Sequence, residues 1–188
     1  MSQLTKQEQK KLLDIAKRAV ENYVKQDEIP EFSITDKNLN KNQGAFVTLH
    51  KNKELRGCIG QIIPSKEPLW QVIKDMAIAA ASQDYRFSPV AKDELNQIDY
   101  EISVLSQPDK IDNWQDIKLG EHGVIVGKNG QSGVFLPQVA EETNWDLEKF
   151  LSELCAQKAG LEPGAYKNDP NVELKVFTAQ VFKEKDVK

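Results

Sequence analysis

The chain has 188 residues, of which 39% are hydrophobic and 29% charged, with a net charge of -4. That length fits one domain, with room for two lobes, and the composition excludes collagen-like, low-complexity and wholly disordered chains. No apolar run approaches the roughly 20 residues of a membrane span, and no signal-peptide apolar segment follows Met1-Ser2-Gln3-Leu4-Thr5-Lys6, so a cytoplasmic location is expected.

Thr5-Lys6-Gln7-Glu8 reads as a capping box. Leu12, Ala16, Ala19, Val20 and Tyr23 then recur at helical spacing, which predicts a first helix to about Lys25. Pro30 closes that segment, and the Asn- and Lys-rich stretch from Asp36 to Gly44 reads as a loop. Ala45, Val47 and Leu49 alternate with Phe46, Thr48 and His50, the period of a strand. A polar turn, Lys51-Asn52-Lys53-Glu54, leads to a second strand over Leu55 to Ile63, giving a hairpin. Beyond Pro64, the residues Leu69, Val72, Ile73, Met76, Ala77 and Ala80 predict an amphipathic helix. Its Ala79-Ala80-Ala81 run permits close packing.

Tyr100, Ile102 and Val104 alternate with Glu101, Ser103 and Leu105 in a third strand, ended by Pro108. Two apolar runs, 123–126 and 133–136, flank Lys128-Asn129-Gly130-Gln131. Asn-Gly between such runs predicts a tight hairpin, because both turn residues need positive φ. Leu147, Phe150, Leu151 and Leu154 stripe a helix from about Asp146 to Ala159, with Gly160 placed to end it. Leu174 to Phe182 reads as a final strand, and 183–188 as a solvated tail. Helices and hairpins must bury each other's apolar faces. The expectation is therefore one α/β domain (1–188), with its first helix and last strand in the same lobe.

Clustered Lys and Arg mark binding to phosphate backbones. Here lysines are interleaved with acids, as in Lys183-Glu184-Lys185-Asp186, which argues against nucleic acid. The only cysteines are Cys58 and Cys155, and the only histidines His50 and His122. Their spacing provides neither a disulfide framework nor close pairs of zinc ligands, and no iron–sulfur cluster fits them. No intrinsic metal or other cofactor is expected. The glycines at 123, 127, 130 and 133 lack the Gly-Lys-Ser/Thr ending of a phosphate loop.

Leu55-Arg56-Gly57-Cys58-Ile59-Gly60 is the most unusual stretch. Alternation along a strand puts Arg56 and Cys58 on one face, where a guanidinium would favour the thiolate. Gly57 and Gly60 remove side chains around the cysteine, a sign of close approach by a backbone or ligand. Two readings follow. One is a reactive thiol in a small basic notch. The other, commoner by spacing alone, is a buried cysteine filling a core, with Arg56 in an ion pair. His50 approaches Cys58 only in one hairpin register. Asp84 and Arg86 fit either an ion pair anchoring a loop or a polar binding site. Glu101 lies opposite Tyr100 and Ile102, a place where a carboxylate is usually solvated. His122 reads as a surface residue in a turn, and Cys155 as core.

The hexapeptide resembles the hallmark of the AMMECR-type domain family, whose microbial members are also called AmmeMemoRadiSam system protein A. Asp84-Tyr85-Arg86-Phe87 is similar to a second family segment, and Glu101-Ile102-Ser103-Val104-Leu105 to its central strand. His122-Gly123, Leu136-Pro137-Gln138-Val139, Trp145-Asp146-Leu147, Cys155 and Lys158-Ala159-Gly160-Leu161 follow in the family's order. The resemblance implies an α/β fold of the α+β type, with a sheet flanked by helices in a larger lobe and a smaller second lobe. It puts the hexapeptide near the junction of the lobes, and implies a pathway shared with a Memo-like protein and a radical-SAM protein. It carries no settled activity.

Two functions stay open. In the first, Cys58 is a reactive thiol supported by Arg56, in a cleft shared with Gly57, Gly60 and at least one of Asp84, Arg86, Glu101 and His122. In the second, the same cleft binds a small molecule or a protein without catalysis and Cys58 is structural.

Overall fold

The computed structural model describes residues 3–187. In chain order it runs through α1 (Lys6–Gln26), β1 (Ala45–Lys51), β2 (Glu54–Gln61), α2 (Leu69–Ser82) and β3 (Ile98–Leu105). Then come β4 (Asp109–Ile111), β5 (Gly123–Lys128), β6 (Gln131–Phe135), α3 (Gln138–Thr143) and α4 (Leu147–Glu153). A π-helical turn (Leu154–Ala159), α5 (Ala165–Asn168), β7 (Glu173–Phe177) and β8 (Ala179–Lys183) complete the series. The fold is α+β, built on two four-stranded sheets ordered β2-β1-β3-β8 and β4-β7-β5-β6.

The chain divides into two compact units. The first extends to Leu105 and takes up the chain again from Gln180; the second is Ser106–Ala179. The second unit is thus an insertion between β3 and β8, which are neighbours in the first sheet. At the two crossing points Ser106 N–H donates to the Thr178 carbonyl (2.9 Å), and Thr178 N–H donates to Ser106 Oγ (3.0 Å).

In the first unit, α1 and α2 cover one face of the sheet. Leu12, Ala16 and Val20 from α1 meet Leu69, Ile73 and Ala77 from α2 over Val47, Leu49, Tyr100 and Ile102. The Thr5–Glu8 capping box forms as expected. In the second unit, Val124, Val126, Phe135, Phe150, Leu151, Leu154, Cys155 and Leu174 form a separate apolar cluster. Asn129 and Gly130 both take positive φ at the β5–β6 turn, as the Asn-Gly signal requires. No helix among the described residues is long and apolar enough to cross a membrane.

Several elements differ from the expectations. The single strand over 174–182 is two strands in two sheets, divided at Thr178. Phe177 and Phe182 are both buried, yet their odd spacing would put them on opposite faces of one strand; Phe182 joins the first unit's apolar cluster, while the Phe177 ring lies across Gly123 of β5. The helix over 146–159 widens at its end, where the Cys155 carbonyl accepts from the N–H groups of both Gly160 and Leu161. Residues 183–187 are not a free tail. Lys183 ends β8, Glu184–Asp186 form a 3-10 turn, Lys17 pairs with Glu184, and Val187 packs on the core. These contacts offset the ordering cost that would otherwise leave so charged a segment loose. Lys188 lies outside the described residues.

Candidate functional site

The hexapeptide lies on β2, at the edge of the first sheet. Its glycines are explained by what approaches them. A Cβ on Gly57 would lie 2.2 Å from the Ala80 carbonyl oxygen, so α2 packs directly on the strand there. A Cβ on Gly60 would lie 2.3 Å from the Phe46 ring. The glycines therefore admit a helix backbone and an aromatic ring, and the space expected beside the thiol is taken up by them.

β2 pairs with β1 so that Cys58 faces Thr48, and β3 on the other side sets Glu101 against the same threonine. Cys58, Thr48 and Glu101 form a row across three strands, on the face away from Val47, Leu49 and Ile102. Thr48 Oγ1 donates to Cys58 Sγ at 3.2 Å. Glu101 Oε2 lies 2.5 Å from Lys183 Nζ on β8. Glu101 is thus mostly covered and paired, unlike the solvated carboxylate expected. His50 faces Leu55, so it does not oppose Cys58.

The Cys58 N–H points away from β1 and donates to Asp84 Oδ2 at 2.9 Å. The Cys58 carbonyl accepts from Arg86 Nη2 at 3.3 Å. Asp84 and Arg86 are themselves joined by two side-chain bonds, Nε to Oδ1 at 2.9 Å and Nη2 to Oδ2 at 2.6 Å. The pair occupies the donor and acceptor that a further strand would use, so it caps this stretch of edge. The Arg86 guanidinium, with the Cys58 N–H behind it, holds the Asp84 carboxyl well below the usual carboxylate range.

Arg56 is directed elsewhere. Between the Leu49–Gly57 and His50–Leu55 pairs the register shifts, leaving Arg56 as the extra residue of a β-bulge. The bulge breaks the alternation on which a shared face with Cys58 depended. The guanidinium makes a bidentate pair with Glu94 (3.1 and 2.9 Å) and donates to the carbonyls of Ser88 (2.9 Å) and Pro89 (3.3 Å). Arg56 therefore ties β2 to the segment after α2. It also holds the Glu94 carboxyl far below its ordinary value.

The Cys58 thiol is pushed up from its ordinary pKa. Burial is the main cause, and the Asp84 and Glu101 charges add to it; the Thr48 hydrogen bond and the Arg86 charge act in the opposite direction. The expected lowering by a neighbouring guanidinium is outweighed, and the arginine concerned is Arg86. His122 belongs to the second unit, where its Nδ1 accepts from Lys118 N–H at 3.3 Å and its ring is more covered than a surface residue.

The structure thus brings together Cys58, Asp84, Arg86 and Glu101, and adds Thr48, Glu94 and Lys183, which the sequence reading left out as site residues. Thr48 follows only from strand register. Glu94 has one faint sign, an acid three residues after Ala91 that accepts from the Ala91 N–H and caps a 3-10 turn.

Comparison with known proteins agrees with these motifs. The AMMECR1 family model matches residues 13–182. Protein Mbar_A1807 of Methanosarcina barkeri is 38% identical, with 97% of this chain and 93% of that protein covered. Protein NEQ441 of Nanoarchaeum equitans is 41% identical, with 92% and 98% covered. The crystal structure of the uncharacterized protein PH0010 from Pyrococcus horikoshii superposes with a TM-score of 0.83 at 38% identity, over 93% of this chain and 90% of that one. The chain belongs to the AMMECR1 family.

Proposed function

We propose that Cys58 is a reactive thiol forming a reversible covalent adduct, in a modification or redox pathway that also uses a Memo-like protein and a radical-SAM protein. One observation carries the thiol reading. Cys58 is half-buried beside Thr48, Arg86 and Glu101 and outside both apolar clusters, while Asp84 and Arg86 fix its peptide group. A cysteine retained only as filler belongs in an apolar cluster, as Cys155 does. The pathway partners rest on the family resemblance.

The step is addition of the thiol across a carbonyl, with the thiolate as the attacking form, which burial makes scarcer and Arg86 favours. The Sγ–C bond forms, the C=O π pair moves to oxygen, and the thiol proton ends on that oxygen. Nothing is oxidised or reduced and no group leaves. In this scheme Cys58 is the catalytic residue, and Arg86 offsets charge that develops beside it. Asp84 and Arg56 are positioning residues, acting through the Cys58 peptide group and the Glu94 anchor.

Iodoacetamide labelling of the folded protein across pH tests the proposal. Cys58 is expected to label in the folded state, its rate rising through a midpoint above the ordinary thiol value of about 8.5. Cys155 is expected to label only on unfolding. A Cys58 as protected as Cys155 would overturn the proposal and leave a non-catalytic binding module with a structural cysteine. Coexpression with the two partner proteins tests the pathway: a mass gain on Cys58, absent from Cys58→Ala, is expected, and an unmodified thiol in their presence removes that part.

A further inference from the structure

Two ion pairs flank Cys58 in the first unit, and both are arranged in the same order of depth. The Asp84 side chain is 2% exposed and its partner Arg86 44%. The Glu101 side chain is 16% exposed and its partner Lys183 41%. In each, the carboxylate lies beneath and the cation faces outward. Around Glu94 the arrangement differs: Arg56 is covered, with 12% exposed against 15% for Glu94, and Lys51, 31% exposed, reaches the same carboxylate at 2.8 Å. The neutral Asp84–Arg86 pair beside the thiol, and the Glu101–Lys183 pair farther along the sheet, therefore act as dipoles with their positive ends toward solvent. Arg86 is the nearer, since its Nη2 lies 3.3 Å from the Cys58 carbonyl oxygen. Lys183 reaches the far end of the Cys58–Thr48–Glu101 row, about 10 Å away by strand spacing.

We propose that the Cys58 site takes a small electrophile carrying an anionic group, with Arg86 as the near anchor and Lys183 as the far one. This rests on the reactive-thiol reading and names its substrate class: a carbonyl compound bearing a carboxylate or a similar anion. The anion meets the outward guanidinium while the carbonyl carbon faces Sγ. Asp84 is buried and Glu101 mostly covered; their charges still reach the thiol, but an anion arriving from solvent meets the outward cations first. Arg86 is suited to the near position because a guanidinium engages Asp84 through two bonds and still has donors to offer.

Iodoacetate and iodoacetamide test the charge preference directly. Both react by one step, in which the Sγ–C bond forms as the C–I bond breaks, iodide leaves and the thiol proton goes to solvent. They differ in one negative charge. The ratio of their rates at Cys58 is compared with that for N-acetylcysteine amide, with the Cys58→Ser protein supplying the background. At low salt the ratio is expected to exceed the reference by roughly threefold, and to fall to it near 1 M salt. Lys183→Met is expected to lower the ratio slightly and Arg86→Gln to abolish the excess. Should Arg86→Gln unfold, the salt titration of the unsubstituted protein decides. A ratio at or below the reference at low salt, with iodoacetamide labelling intact, overturns the substrate class alone. Failure of both reagents on folded Cys58 overturns this inference together with the reactive-thiol reading.

Discussion

Cys58 and Cys155 are the same residue in two kinds of surroundings. Burial pushes both thiols up. Cys155 is fully buried among Phe150, Leu151 and Leu154, on a helical turn. Cys58 is half-buried on an edge strand, with a hydroxyl, a guanidinium and two carboxylates around it. Covering a thiol raises its pKa in either place, so a raised value does not separate filler from site. The neighbours do. At Cys155 the surroundings are apolar side chains that can only pack; at Cys58 they are charges and donors held by other charges and donors.

The contrast can be broken most severely at Gly57. Gly57→Ala drives a methyl group into the Ala80 carbonyl, and is expected to cost about 3 kcal/mol in urea unfolding. A near-neutral result would mean that α2 does not hold the Cys58 strand. Asp84→Asn comes next, with an expected loss of about 2 kcal/mol at neutral pH, because a charge-assisted bond to Cys58 N–H and the fork with Arg86 both weaken. The acid limb sharpens this test. Asp84 and Glu94 have lower pKa values in the folded than in the unfolded state. Their stabilisation is complete above the unfolded carboxylate range near 4, and fades as pH falls toward the folded values. Acid unfolding of Asp84→Asn should therefore be flatter below about pH 4 than that of the unsubstituted protein.

The two cysteines themselves give the smaller effects. Cys155→Ser puts a hydroxyl into an apolar cluster, and a loss of about 1–2 kcal/mol is expected by thermal denaturation. Cys58→Ser retains a hydroxyl neighbour in Thr48 and is expected to cost less than about 1 kcal/mol. Equal losses at the two positions would erase the distinction between them.

The elements legible in the sequence were those with a strong local signal. The Thr5–Glu8 box, the α2 stripe and the Asn129-Gly130 turn are each set by residues a few positions apart, and each is present. The site was legible as a set of segments and much less as an arrangement. Asp84 and Arg86 were marked as a pair, but their hold on the Cys58 peptide group depends on how the end of α2 returns to β2. Alternation offers Arg56 either to the thiol or to an ion pair; one bulge residue turns it to the ion pair, whose partner Glu94 no local spacing marks. Thr48 and Lys183 join the site through strand pairing and strand order, properties of the sheet that no single stretch of sequence carries.

The insertion of Ser106–Ala179 between β3 and β8 bears on how the chain is assembled. A ribosome releases β3 long before β8, so the first sheet waits with its β3 edge open while the inserted unit is made. If that unit collapses first, its two ends arrive side by side, already joined through Ser106 and Thr178. The loop that β8 must close then shrinks from the whole inserted stretch to a short span, and the entropy cost of adding the last strand falls accordingly. Lys183, the outer cation of the Glu101 pair, comes with that strand. The Glu101–Lys183 pair therefore forms only after the inserted unit has been made, whereas the Asp84–Arg86 pair can form before it.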